Sequence, residues 1–215
     1  MALPSRVAVF VGPSLPLRDR ILSDRVTYLA PAARGDVERA AREYDAILFI
    51  DGVFHHDLSP SPREVYDALK RVPVFGASSM GALRAVECAP YGAVPLGAIA
   101  RWYLLEAIDG DDEVAVLVDP QTQRALTVAN VNVRYLASIA RRRGILTKAE
   151  ADDVVAAARK IFYMDRSWED VLGLTPVHAR KALSEILERG SDLKRHDARF
   201  ALRSVLRRTG SMVAR

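Results

Sequence analysis

The first 90 residues contain four short, almost continuously apolar runs that alternate with segments of helical periodicity. Strands that are buried on both faces have this composition, because helices cover each side of a parallel sheet. Alternation of such strands with helices is typical of a doubly wound α/β fold. The sequence therefore predicts an open, mostly parallel sheet with flanking helices, whose strands lie at residues 6–12, 25–29, 45–51 and 71–76.

The pattern changes after residue 91. Residues 113–119 have the composition of a further strand, and the remaining apolar spacing is helical. The predicted helices lie at residues 96–108, 128–144, 147–163, 175–189 and 192–208. We therefore predict two domains, an α/β core at residues 1–135 and an all-helical C-terminal segment at residues 136–215.

Composition and charge restrict the compartment and the partners. No apolar run reaches the roughly 18 residues that a membrane crossing needs, and Cys88 is the only cysteine. These features favour a reducing cytoplasm and no membrane partner. Residues 141–215 carry 17 basic and 10 acidic groups, against 14 and 17 in residues 1–140. This basic C-terminal third indicates either an acidic partner or a solvated helical surface. It lacks the patterns of a nucleic-acid interface, so no nucleic-acid partner is expected.

The loops that follow the predicted strands are rich in hydroxyls, charges and glycines. The carboxyl ends of parallel strands share one edge of a sheet, and ligands bind in the crevice at that edge. We therefore expect the functional site to be built from the loops at residues 12–15, 31–36, 51–63 and 76–81.

The last of these loops contains the sharpest motif. Ala77, Ser79 and Gly81 fit the small-x-nucleophile-x-small pattern of a nucleophile elbow, in which only small neighbours fit a tight strand-to-helix turn. The helix that follows would direct its free N–H groups at the same place, where they could stabilise an oxyanion. Ser79 is therefore a candidate nucleophile for the cleavage of an acyl or thioacyl bond. The alternative is that Ser78 or Ser79 only caps this helix.

The residues alone do not identify a base for this serine. His55 and His56 follow the third strand at the same edge, where they could serve as a base or lie in solvent, and they lack a third ligand for a metal. A desolvated lysine can also act as a base. Lys70 precedes a strand and so belongs to the opposite edge, whereas Lys160 lies in a later helix.

No cofactor and no metal is predicted. The segment Gly-Pro-Ser at residues 12–14 lacks the GxGxxG fingerprint of dinucleotide binding, and its proline removes an N–H group that would face a phosphate. The acidic run at residues 111–113 could hold Mg²⁺, pair with an arginine or form a solvated turn.

Several segments together resemble the TfuA-like protein family. They occur in the order of the family, and the long string GASSMGALRA makes the resemblance specific. The segments are VFVGPSL (9–15), APAARGD (30–36), IDG (50–52), VFGASSMGALRA (74–85), DDEVAV (111–116) and VNVR (131–134), with IFYMDRSW (161–168) as a weaker match.

This resemblance implies a role that the residues alone do not reveal. TfuA-like proteins accompany YcaO enzymes, which use ATP to activate a peptide amide so that sulfur replaces its oxygen in ribosomally made (RiPP) natural products. The resemblance implies a hydrolase that releases sulfide from the C-terminal thiocarboxylate of a small ThiS-type carrier and helps YcaO engage the precursor peptide. The alternative is an adaptor without chemistry of its own, which recruits the carrier or the precursor peptide to YcaO.

The resemblance also implies a serine–lysine pair with Ser79 as the nucleophile. Arg63 stands where relatives have the lysine, and an arginine stays protonated but could clamp a thiocarboxylate or an oxyanion. Lys160 is the candidate for a lysine elsewhere in the chain. Arg84 is expected to brace the loops through a carboxylate. The residues expected to contact the tail of the carrier are Ser14, Asp51, Gly76, Ser78 and Met80.

Overall fold

The structure is a computed structural model that describes residues 6–54 and 58–212. It contains two compact units, Met1–Asp109 with Lys194–Arg215, and Gly110–Leu193. Each unit has hydrophobic clusters of its own. None of the helices in the described part of the chain combines the length and the apolar character of a membrane span.

Five strands form a sheet in the first unit. They are β1 (Val7–Phe10), β2 (Val26–Leu29), β3 (Ala46–Phe49), β4 (Val74–Ala77) and β5 (Val94–Leu96), in the spatial order β2-β1-β3-β4-β5. Every pairing between them is parallel. The predicted α/β fold and its four strands are therefore confirmed. The sequence did not reveal β5, because this strand has three residues and contains Pro95.

Helices account for most of the remaining chain. They are α1 (Asp36–Glu43), α2 (Pro62–Leu69), α3 (Met80–Glu87), α4 (Gly97–Leu104), α5 (Asn130–Arg142), α6 (Lys148–Arg159), α7 (Trp168–Gly173), α8 (Val177–Glu188) and α9 (Leu193–Met212). The predicted helical C-terminal segment is confirmed. The domain boundary predicted at residues 135 and 136 falls inside α5 of the second unit.

The two faces of the sheet are covered by different helices. Alternate residues of a strand point to opposite faces, and Ala8 and Phe10 belong to one apolar cluster with α1, α2 and α3. Val7 and Val9 belong to a second cluster. The last helix supplies that second cluster with four buried side chains, Ala198, Ala201, Leu202 and Val205. The end of the chain thus returns to the first unit and completes its core, which the sequence pattern did not predict.

The second unit contains α5 to α8, and the strand predicted at residues 113–119 is wrong. The N–H groups of Val114 and Ala115 both donate to the carbonyl oxygen of Asp111, at 3.1 and 3.0 Å, and so form a turn. A single antiparallel bridge joins Val118 to Ala125. Val114 and Ala115 are buried, so the apolar run reflects burial of a turn and not a place in a sheet.

Helix starts are fixed by local side chains. Ser61 accepts a hydrogen bond from the N–H of Glu64 at the start of α2, where Pro62 occupies the first helical position. Thr147 and Glu150 form a reciprocal capping box at the start of α6. The buried carboxylate of Glu64, in the neighbouring helix α2, accepts a hydrogen bond from the N–H of Val37 at 2.8 Å. It thereby provides an acceptor for a free N–H group in the first turn of α1.

Candidate active site

The turn between β4 and α3 holds two adjacent buried serines. The N–H of Ser79 donates to the carbonyl oxygen of Ala77 at 2.8 Å, and Ser78 between them has a φ of 68°. This is a γ-turn with a left-handed central residue, a strained arrangement that reverses the chain within three residues. The predicted sharp strand-to-helix turn is therefore present, with its backbone strain at Ser78 and with Ser79 at the N-cap of α3.

Two glycines allow α3 to lie directly against the sheet. A Cβ atom on Gly81 would lie 1.9 Å from the carbonyl oxygen of Phe49, and one on Gly76 would lie 2.0 Å from the carbonyl oxygen of Gly81. The N–H of Gly81 donates to Ile50 at 3.0 Å. The close approach explains why this turn needs small residues, and it gives Gly76 a packing role beneath α3.

The two hydroxyls have different environments. The Ser78 hydroxyl donates to the carbonyl oxygen of Lys194 at 2.8 Å. Ser79 is 1% exposed, and although it occupies the N-cap position its side chain accepts no capping hydrogen bond. The capping alternative therefore does not describe what the Ser79 side chain does, and its hydroxyl is not committed to the start of α3.

The main chain next to Ser79 offers one suitable donor. The N–H groups of Gly81 and Ala82 already donate to Ile50 and Ser79. The N–H of Met80, at the first position of α3, has no acceptor within the helix. This is the amide after the serine, the position that supplies an oxyanion donor in nucleophile-elbow hydrolases. The side chain of Met80 is buried in the core, so only its main chain is suited to a substrate contact.

Asp51 and Ser14 form a buried network at the same edge. The Asp51 carboxylate accepts from the Ser14 hydroxyl at 2.6 Å, from the Ser14 N–H at 3.1 Å and from the Gly12 N–H at 2.8 Å. The carbonyl oxygen of Asp51 accepts from Ala32 at 2.9 Å. The loops after β1, β2 and β3 are thus joined at one residue, which agrees with the expectation that the strand ends share one edge.

Arg63 and Lys160 have contacts elsewhere. Arg63 is exposed on α2, where its Nε lies 2.9 Å from Asp67 and its guanidinium lies over the ring of Tyr66. The hydrogen bond that Arg63 donates to Asp67 raises the pKa of Arg63, which makes a base role still less favourable. Lys160 occupies the C-cap position of α6, in the second unit. The catalytic roles of both residues stay predictions, and His55 and His56 lie outside the described residues.

Lys194 is a buried lysine that the sequence analysis did not single out. It is 5% exposed, and its carbonyl oxygen is the acceptor for Ser78. Because 116 residues separate the two, no local pattern could join them. A usable signal was the presence of Lys194 and Asp197 on the same face of α9 as the apolar residues Ala198 and Ala201.

Asp197 links α9 to the start of α4. Its carboxylate accepts from the N–H groups of Ala98 at 2.9 Å and Ile99 at 2.7 Å. Burial raises the pKa of Asp197, although these two bonds oppose the shift. The carboxylate caps α4 and fixes the first turn of α9, which carries Lys194.

Two further residues have structural roles. Arg84 braces the loop after β3, but through the carbonyl oxygen of Pro60 at 2.8 Å; the carboxylate with which it pairs is Glu87 of its own helix. Cys88 is a buried core residue, and burial raises the pKa of its thiol.

The acidic run of residues 111–113 pairs with arginines. Arg166 lies 3.0 Å from Asp112, and Arg134 lies 2.7 Å from Glu113. Among the described residues, no group of three or more His, Cys, Asp or Glu side chains is placed to hold a metal ion. Of the three interpretations that the sequence left open, pairing with arginine is the one that these contacts support.

Comparison with protein families identifies a family that the chain matches. The family described as TfuA-like protein matches residues 51–167, more than half of the 215 residues. No curated protein matches the chain. The matched span includes Ser79 and Arg63, whereas Ser14 and Lys194 lie outside it.

Proposed function

Because this chain belongs to the TfuA-like protein family, we propose that it is an accessory protein of thioamide formation in which Ser79 hydrolyses a thiocarboxylate. The substrate is the C-terminal thiocarboxylate of a ThiS-type carrier, and the sulfide serves a YcaO enzyme that modifies a precursor peptide. The observation that carries the proposal is the Ser79 hydroxyl, which occupies the end of a strained turn without capping α3. The buried free Cys88 is in keeping with a cytoplasmic setting.

The reaction needs few groups. The Ser79 hydroxyl attacks the thiocarboxylate carbon and loses its proton to a base, while the Met80 N–H stabilises the oxyanion of the tetrahedral intermediate. Collapse of the intermediate expels sulfide and leaves an ester on Ser79. Water then hydrolyses the ester, so that the overall change is thiocarboxylate plus water to carboxylate plus hydrogen sulfide.

Lys194 is our candidate for the base. The residue is buried, and its carbonyl oxygen accepts a hydrogen bond from Ser78, the residue that precedes Ser79. The first turn of α9 is fixed by Asp197, so the position of this lysine is coupled to the fold. Arg63 is not needed in this scheme.

The test is sulfide release from a thiocarboxylated carrier in the absence of YcaO. We expect catalytic turnover by the natural protein and a loss of about a thousandfold or more in Ser79→Ala. Ser78→Ala is the matched control: it removes the neighbouring buried hydroxyl and its hydrogen bond to the Lys194 main chain but leaves the nucleophile, so it should lose no more than about tenfold in turnover. Lys194→Met should lower the rate while circular dichroism shows a retained fold. Turnover by Ser79→Ala equal to that of the natural protein would overturn the assignment.

A non-catalytic adaptor is the second candidate. The observation that favours it is at position 63, where relatives have the lysine. This chain has Arg63 there, and its guanidinium is paired with Asp67, so no general base stands at that position. An adaptor would bind the carrier in a one-to-one complex without releasing sulfide, so the same assay separates the two candidates.

A further inference from the structure

The second unit contains a cleft between α5 and α6 that the serine chemistry does not use. Its volume is about 650 Å³, and four cations line it, Arg134 and Arg141 from α5 with Arg159 and Lys160 from the end of α6. Arg134 and Arg141 are seven residues apart, which separates them by about 10 Å along the helix. The cleft is therefore long enough to contact several residues of an extended or helical ligand.

A buried carboxylate orients the cations at one end of the cleft. Glu113 is 1% exposed and accepts two hydrogen bonds from Arg134, at 2.9 and 2.7 Å, and Arg159 lies 3.8 Å from it. Glu113 therefore neutralises part of the positive charge of Arg134 and Arg159. Arg141 and Lys160 are exposed and form no ion pair with the described residues. Because Asp152 pairs with Lys148 at 2.7 Å, the cleft keeps a surplus of positive charge.

The surface between the cations is apolar. Ala137, Ala151 and Val155 belong to the lining, and their small side chains leave room for apolar groups of a ligand. Phosphates would gain nothing from such a floor. A cleft that combines cations with an apolar floor is better matched by a peptide that carries both carboxylates and apolar side chains.

The segment after the cleft has the composition of a protein interface. Phe162 and Met164 follow Lys160 closely in sequence and are 57% and 41% exposed. The ring of Phe162 lies 4.7 Å from that of Tyr163. Aromatic residues, methionine and arginine are enriched at interfaces, and large exposed apolar side chains beside charges mark such surfaces.

We propose that this cleft binds an acidic segment of a partner protein. Carboxylates of the segment pair with the four cations, and its apolar side chains lie on the alanine and valine floor and against Phe162. This inference goes beyond the proposed function and does not rest on it, since the scheme proposed for Ser79 takes Lys194 as the base and uses none of the cleft residues.

A library of random short peptides, selected on the immobilised full chain, tests the proposal. We expect enrichment of peptides that combine Asp or Glu with Leu, Ile or Phe. The variant Arg141→Glu/Lys160→Glu should bind a selected peptide about tenfold or more weakly, as expected when two pairing charges are reversed. The control Arg143→Glu/Lys181→Glu makes the same charge change on exposed residues of the same unit outside the cleft, and it should change affinity less than about threefold.

Other results have a defined meaning. Replacement of Glu by Gln in the selected peptide, or Phe162→Ala in the protein, should each weaken binding, and added salt should do the same by screening. Equal losses in the two double variants, enrichment without acidic residues, or tighter cleft-dependent binding of single-stranded RNA or inorganic phosphate would each overturn the proposal. A protein that binds the selected peptide but releases no sulfide would contradict the function proposed for Ser79 and would leave the cleft proposal intact.

Discussion

At the serine turn, the positions of single atoms decide which hydroxyl is available for chemistry. Ser78 carries the left-handed φ and donates its hydroxyl to Lys194, whereas Ser79 begins α3 without capping it. The turn can be this tight only because α3 lies against β3 with no side chain between them at Gly81.

Gly81→Ala should destabilise the fold severely. The added Cβ would lie 1.9 Å from the carbonyl oxygen of Phe49, a main-chain atom that cannot rotate away. We expect the free energy of unfolding to fall by about 3 kcal/mol or more, at the upper end for overpacking, as measured by urea denaturation. Gly173→Ala is the control, because no atom lies within 4 Å of its Cβ position, and it should change stability by less than about 1 kcal/mol. Natural stability in Gly81→Ala would contradict the close approach of α3 to β3.

The Asp51 network gives a second prediction of the same kind. Asp51→Ala leaves three buried donors without an acceptor, so it should lower the free energy of unfolding by about 3 kcal/mol or more. Ser14→Ala removes one of these donors and should cost about 1 kcal/mol. In a double-mutant cycle, the two changes should couple by more than about 0.5 kcal/mol, because they share a hydrogen bond. Strict additivity would indicate that the serine and the carboxylate do not interact.

At the scale of elements, α9 is joined to the rest of its unit by carboxylates that titrate with opposite effects. Asp197 of α9 is buried at the start of α4, and its pKa is raised by burial. Asp19 lies after β1 and pairs with Arg195 of α9. The hydrogen bond from Arg195 lowers the pKa of Asp19, which burial alone would raise. The pH dependence of stability can therefore separate the two contacts.

Asp197 should make stability decrease as pH rises. Its folded pKa exceeds the unfolded value of about 3.9, so between these two values the folded state binds more protons than the unfolded state. The contribution of the protonated form is complete below the unfolded pKa and is lost as pH passes the folded pKa. Asp197→Asn should therefore remove a downward slope from a plot of unfolding free energy against pH. Asp153→Asn, at an exposed position of α6, should leave the slope unchanged, and an equal change in both variants would contradict the prediction.

Asp19 should act in the opposite sense. Its folded pKa is below the unfolded value, so the Arg195 pair stabilises the fold above the unfolded pKa, and this stability is lost as pH falls through the folded pKa. Asp19→Asn should destabilise the protein at neutral pH by about 1.5–3 kcal/mol, the range for a hydrogen bond to a charged group. The difference from the natural protein should shrink on acidification. A constant difference at all pH values would show that the carboxylate charge does not contribute.

The sequence predicted those elements whose composition alone requires burial. The runs that became β1 to β4 are almost continuously apolar. The edge rule placed Ser14 and Asp51 at one edge of the sheet, as expected contacts of the carrier tail, but it did not predict that they bond to each other. The same reasoning failed at residues 113–119, because an apolar run predicts burial but not a neighbouring strand with which to pair. The place of α9 and of Lys194 could not be predicted, since the contact with Ser78 spans 116 residues.

At the scale of the whole molecule, the chain leaves the first unit and returns to it. Residues 110–193 form a unit with apolar clusters of its own, and α9 then completes the core begun by β1 to β4. A chain that ends at residue 192 should therefore lose the first unit and keep the second. The two tryptophans can report this outcome separately, because Trp102 lies in α4 and Trp168 begins α7.

Truncation at residue 192 should unfold the surroundings of Trp102 and spare those of Trp168. Without α9, the sheet face at Val7 and Val9 loses four apolar side chains, and α4 loses the carboxylate that caps it. In a Trp168→Phe background, the truncated chain should show red-shifted Trp102 fluorescence and no cooperative urea transition. In a Trp102→Phe background, Trp168 should keep a cooperative transition, because it packs against α7 and α5 residues that truncation leaves in place. The two full-length single-tryptophan variants serve as controls. Loss of both transitions would mean that the second unit does not fold by itself, and persistence of both would mean that α9 is dispensable for the sheet.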